Sequence, residues 1–180
     1  MLDERLNDFI KLWKHYAPEE SDNLIIHNEK LMKYLKESFF TSPASTKYHG
    51  AYEGGLYDHS KQVFLRLQEL TERNGLSWQR NESPFIVGML HDICKCDQYI
   101  KTNEGYQYNN NTLLKGHGSK SILILSQYIN LTEEEMLCIR LHMGAYEQDD
   151  WDMFDKAIKK YPNVLWTHTA DMLASKVDDV

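Results

Sequence analysis

Apolar residues recur at helical intervals along nearly the whole chain. Leu2, Leu6, Phe9, Ile10, Trp13 and Tyr16 form one stripe, which Pro18 closes. A second helix is predicted from about Asn23 to Phe39, carrying Leu24, Leu31, Leu35 and Phe39 on one side. Pro43, Gly50 and the pair Gly54-Gly55 break the pattern between Thr41 and Gly55. The next stripe, Leu56, Val63, Leu67 and Leu70, predicts a helix to about Arg73, and His59 shares its inward face. Ser83 as N-cap and Pro84 as first residue then open a helix whose Ile86, Met89, Leu90 and Ile93 face a core. A polar, tyrosine-rich stretch from Asp97 to Lys115 reads as a long loop. Beyond it, helices are predicted over Lys120–Ile129, from the Thr132–Glu135 capping box to His142, through Tyr161 after an acidic Glu147–Asp152 loop, and past Pro162 to the end. No stretch alternates with period two. The expected architecture is all-α: one helical bundle over residues 1–180, with N-terminal helices in 1–40 and the candidate chemistry in 41–180.

The chain is long enough to bury a sizeable core, and 42% apolar with 26% charged residues is ordinary globular composition. A formal net charge of -7 argues against strong binding to a nucleic-acid backbone, which needs clustered Lys and Arg. No apolar run approaches the roughly 18 residues of a membrane span. The charged start, Met1-Leu2-Asp3-Glu4-Arg5, does not read as a signal peptide. Three cysteines without CxxC spacing read as reduced thiols, so a cytoplasmic location is expected.

What changes the picture is the placement of histidines and aspartates. His91-Asp92 ends the apolar run Phe85-Ile86-Val87, with Asp92 at the edge of the core-facing stripe. A carboxylate there costs several kcal/mol unless something positive holds it. Lys95 is one candidate partner and a metal ion another. His59, His142 and Asp171 also fall on core-facing edges of separate predicted helices, and His117 stands between Gly116 and Gly118 ahead of another. Imidazoles with carboxylates suit zinc, manganese, iron, cobalt or nickel. Asp58 reads as a helix-start acid of the usual dipole-partner kind, with orientation of a ligand or water as the other reading. His15, His27 and His168 read as structural. The loop tyrosines Tyr99, Tyr106 and Tyr108 read either as packing or as a surface for a nucleobase.

The order His…His-Asp…Asp, in the setting Leu-His-Asp-Ile-Cys-Lys, resembles the HD superfamily of metal-dependent phosphohydrolases over residues 49–171. The segment from His49 to His59 is similar to HD domains joined to 3′–5′ exoribonucleases and to small stand-alone bacterial HD hydrolases. The resemblance implies that His59, His91, Asp92 and Asp171 hold a first divalent ion. Asp92 would bridge to a second held by His117 and His142, the ions being Fe, Mn, Zn, Co or Ni. It implies that Lys95 contacts phosphate oxygens and that His49 adds a second phosphate contact or a proton donor. No GYP signature follows, unlike cyclic-di-GMP hydrolases, and no nucleic-acid-binding domain is joined to the motif. The function implied is hydrolysis of a small phosphorylated molecule, a nucleotide before others. The alternatives are a phosphodiesterase or nuclease on oligonucleotides, and a non-catalytic metal- and nucleotide-binding module. The sequence leaves a homodimer open.

Overall fold

The computed structural model describes residues 2–145 and 150–180; residues 147–149 of the expected acidic loop lie outside them. The chain is mostly helical, in the order α1 (Leu2–Tyr16), α2 (Glu29–Tyr34), α3 (Gly55–Asn74), α4 (Ser83–Leu90), β1 (Tyr99–Thr102), β2 (Gly105–Tyr108), α5 (His117–Leu125), α6 (Glu133–Leu141), α7 (Asp150–Lys160) and α8 (Asn163–Lys176). Among the described residues no helix is long and apolar enough to cross a membrane.

α4 lies at the centre, buried along its whole length. The apolar stripe read from the sequence is therefore one side of a helix that has no solvent face. α3 packs on α4 and on α8, α8 packs on α6, and α6 packs on α5. Two glycines allow the closest crossings. A Cβ on Gly88 of α4 would lie 2.5 Å from Phe64 Cα of α3. One on Gly118 of α5 would lie 2.4 Å from the Ile139 carbonyl oxygen of α6. Edge-to-face contacts among Phe9, Trp13, Phe39, Phe40, Phe64 and Phe85 join the N-terminal segment to α3 and α4.

Three expectations need correction. The single helix predicted over 23–39 is broken. Residues 19–24 form a 3₁₀ helix, and Asn28 starts α2 anew by accepting a hydrogen bond from the Leu31 amide. The Asn28 amide group donates to the Tyr128 carbonyl, and α2 runs on into a wide π turn over Leu35–Phe39. Ser83 is not the N-cap of α4. It is the first helical residue, and its hydroxyl donates to Glu135 Oε1 at 2.8 Å. The stretch 97–115 is not wholly a loop. β1 and β2 form an antiparallel hairpin pairing Tyr99 with Tyr108 and Thr102 with Gly105. The capping box at Thr132 and Glu135 forms as expected, and Glu135 also takes two hydrogen bonds from Arg80.

Candidate metal centre

His91 caps the C-terminus of α4, and His142 caps that of α6. In both, the ring folds back so that Nδ1 meets the carbonyl three residues earlier: Gly88 O at 2.9 Å and Ile139 O at 2.7 Å. His59, on α3, places its Nδ1 2.8 Å from the Val180 carbonyl oxygen. A carbonyl only accepts, so Nδ1 carries the proton in each ring and the lone pair of the neutral imidazole sits on Nε2. This is the orientation that metal-ligating histidines adopt through their outer partners.

The three Nε2 atoms converge on Asp92, the residue after His91. Asp92 Oδ2 lies 3.5 Å from His91 Nε2 and 3.8 Å from His59 Nε2, while Oδ1 lies 3.4 Å from His142 Nε2 and 2.8 Å from His117 Nε2. The two carboxylate oxygens thus face two different histidine sets. Asp171, one face of α8, adds Oδ1 at 3.2 Å from His59 Nε2 and 3.9 Å from His91 Nε2. Donor atoms of His59, His91 and Asp171, and again of His91, Asp92 and His142, lie mutually within 4.8 Å, a spacing that could hold a metal ion.

The strongest sign of fit is what these atoms lack. His91 Nε2, His142 Nε2 and Asp92 Oδ1 are buried without a hydrogen bond among the described residues, Oδ1 meeting His117 Nε2 only as a charge contact. Each such orphan costs about 1–3 kcal/mol, so three beside one another demand an explanation. Lone pairs aimed at one space, with a carboxylate among them, are what a cation would satisfy.

The electrostatics agree. Burial alone would raise the Asp92 pKa, but Lys95, His117 and His91 outweigh it and hold the carboxyl well below the usual range. Asp171 is also held low: burial opposes ionisation, but the nearby His59, His142 and His91 rings outweigh it. Burial pushes His91 below the usual histidine value, more than Asp92 lifts it. His142 goes the other way, because Asp92 outweighs its burial. Lys95 Nζ lies 2.6 Å from Asp92 Oδ2, and that pairing keeps the buried amine charged against its desolvation.

Every metal or phosphate residue named from the sequence borders this one region. His59, Asp92, Lys95, His117, Asp171 and His49 line a cavity of about 430 Å³, and His91 and His142 lie fully buried against Asp92. The His49 ring stands 4.9 Å from that of His59, and burial, with His59 and Lys95 nearby, pushes its pKa down to about 4. Asp58 is not part of the site. Both of its oxygens take hydrogen bonds from Arg5 of α1. His168 is a support, with Nδ1 2.7 Å from the His142 carbonyl oxygen.

Cys94 was not singled out by the sequence. The 3₁₀ turn Ile93–Cys96 brings its sulfur to 3.4 Å from His117 Nδ1. Burial pushes this thiol up to about 12, so it stays protonated. Arg140 and Lys176 also reach the cavity wall. At the end of α8, Asp178 takes hydrogen bonds from Arg66 and Gln62 of α3, and Asp179 turns through a positive φ of 57°. That turn delivers the Val180 carbonyl to His59.

Comparison with protein-family models, with curated proteins and with solved structures returns no match to this chain.

Proposed function

We propose that this chain is a metal-dependent phosphohydrolase of the HD type, acting on a phosphate ester of a small molecule. The observation that carries the reading is the set of buried atoms without hydrogen bonds on His91, His142 and Asp92, where Asp92 and Lys95 line the cavity. His59, His91, Asp171 and Asp92 Oδ2 would hold one divalent ion, and His117, His142 and Asp92 Oδ1 a second, of zinc, manganese, iron, cobalt or nickel. When bound, such ions make water a nucleophile at neutral pH and draw charge from phosphoryl oxygens.

The protein's own groups supply the rest. Lys95 brings a buried positive charge to the cavity, suited to a non-bridging phosphate oxygen once it shares its hold on Asp92. His49 is neutral at working pH, so it contacts phosphate through a ring N–H and not as a cation. The carbonyl-anchored rings of His59, His91 and His142 need no reorientation to present Nε2. A cavity of about 430 Å³ fits one small ester better than a polymer.

Metal analysis of protein purified without chelator tests the first half: one or two ions per chain are expected, and none would defeat the reading. His117→Ala and His142→Ala should each lower a stoichiometry of two toward one. A panel of nucleoside monophosphates, cyclic nucleotides, p-nitrophenyl phosphate and its bis ester tests the second half. Turnover abolished by Asp92→Ala is expected. No turnover of any ester by metal-loaded protein would leave a metal-binding module without this activity.

A further inference from the structure

We propose that the β1–β2 hairpin is a base-binding subsite: Tyr99 and Tyr108 hold the planar ring of a nucleoside phosphate whose phosphate lies at the histidine–aspartate cluster. The phosphate end rests on the function proposed above; the aromatic end rests on the hairpin alone.

The hairpin register sets Tyr99 directly across from Tyr108, with ring centroids 5.3 Å apart and planes inclined by 58°. Both tyrosines line the same cavity as Lys95, Asp92 and His117. Their roles in its wall differ. Tyr99 is partly buried, and Gln98 Nε2 donates to its hydroxyl at 3.3 Å. Tyr108 is 61% exposed, an aromatic ring left largely uncovered at the cavity. Such a surface is what a stacked base would cover.

The pair is also held at a fixed offset from the phosphate end. The Gln98 amide donates to the Lys95 carbonyl, and the Asn109 amide donates to the Gln98 carbonyl at 2.8 Å. Asn109 Nδ2 donates to the Asp97 carbonyl at 2.9 Å. The strands are thereby stitched to the 3₁₀ turn that carries Lys95. A substrate bound at Lys95 meets the tyrosines without any rearrangement of the hairpin.

A second, smaller cavity of about 260 Å³ adjoins the first, and Gln98, Tyr108, Gly116 and His117 border both. It adds Asn110 and Thr112, whose side chains donate and accept hydrogen bonds. An aromatic face flanked by amide and hydroxyl groups suits a heteroaromatic ring with polar edges, such as a nucleobase, better than a plain hydrocarbon ring. Two adjoining spaces of this size suit a mononucleotide.

Calorimetric titration of the metal-loaded protein with non-hydrolysable phosphonate analogues of nucleoside monophosphates and of ribose phosphate, which lacks the base, separates the two ends without any turnover. The nucleoside analogues are expected to bind about 10-fold tighter than the ribose analogue, as one stacked base would give. Tyr108→Ala should abolish that margin and Tyr108→Phe should keep it; Tyr108 is an exposed hairpin residue, and a circular dichroism spectrum verifies that the fold persists. Equal affinity for the two probes, or a margin that survives Tyr108→Ala, overturns the proposal. Base-dependent binding without hydrolysis would refute the phosphohydrolase reading and leave this one standing. Hydrolysis of ribose phosphate and nucleotides with equal kcat/KM, and no margin in binding, would do the reverse.

Discussion

Replacing Asp92 by Asn keeps the shape of the side chain and deletes its charge. In the metal-free protein this charge faces Lys95 at 2.6 Å, and both residues are buried. Removing one partner of a buried pair leaves the other charge uncompensated, at a cost of about 3–5 kcal/mol. The lower end, about 3 kcal/mol, applies here, because the Lys95 amine reaches a cavity that admits water. For a chain of this length about 3 kcal/mol lowers Tm by roughly 6–12 °C. Thermal unfolding in the presence of chelator, followed by circular dichroism, measures it. The double variant Asp92→Asn/Lys95→Met should recover most of the loss, since replacing both partners removes the stranded charge. A double variant as unstable as the sum of its two single changes would refute the argument. So would an Asp92→Asn protein that melts with the wild type and still binds metal with unchanged stoichiometry.

Metal affinity should rise with pH through and somewhat above the ordinary imidazole range, because His142 is held protonated to higher pH than usual and must lose that proton to act as a ligand. The sign for the metal-free fold is opposite: a raised pKa contributes stability that is full below the unfolded value and lost as pH rises through the folded one. Titration calorimetry in buffers of different ionisation enthalpy should detect the released proton, and pH-independent binding would contradict it. Gly88→Ala puts a Cβ 2.5 Å from Phe64 Cα, so α3 must move off α4. The expected cost is about 1–3 kcal/mol, with weaker metal binding as His59 parts from His91, read by melting and metal titration. Glu135→Ala strands Arg80 and Ser83 and removes half a capping box, for a loss of about 2 kcal/mol, while metal stoichiometry stays unchanged.

The convergence of His59, His91-Asp92, His142 and Asp171 was legible because helical periodicity fixes which side of each helix a residue occupies. Four helices with their inward faces known leave little room for those side chains to miss one another. The hairpin was not legible for the complementary reason. Its strands are only four residues long and partly or fully exposed, so burial imposes no alternation on them. The break before α2 depends on Asn28 reaching the Tyr128 carbonyl, a partner 100 positions away that no local pattern announces. Cys94 was missed because the chain tightens into a 3₁₀ turn just after Asp92, and only that turn directs its sulfur to His117. Asp58 stayed ambiguous, for a helix-start acid looks the same in sequence whether it faces a ligand or an arginine.

The tail that ends α8 steers a ring it never touches through its own side chains. Asp178 is clamped by Arg66, the backbone reverses at Asp179, and the Val180 oxygen keeps the His59 imidazole facing inward. Loosening the Arg66–Asp178 clamp would therefore be felt at the ion site well before the helices came apart.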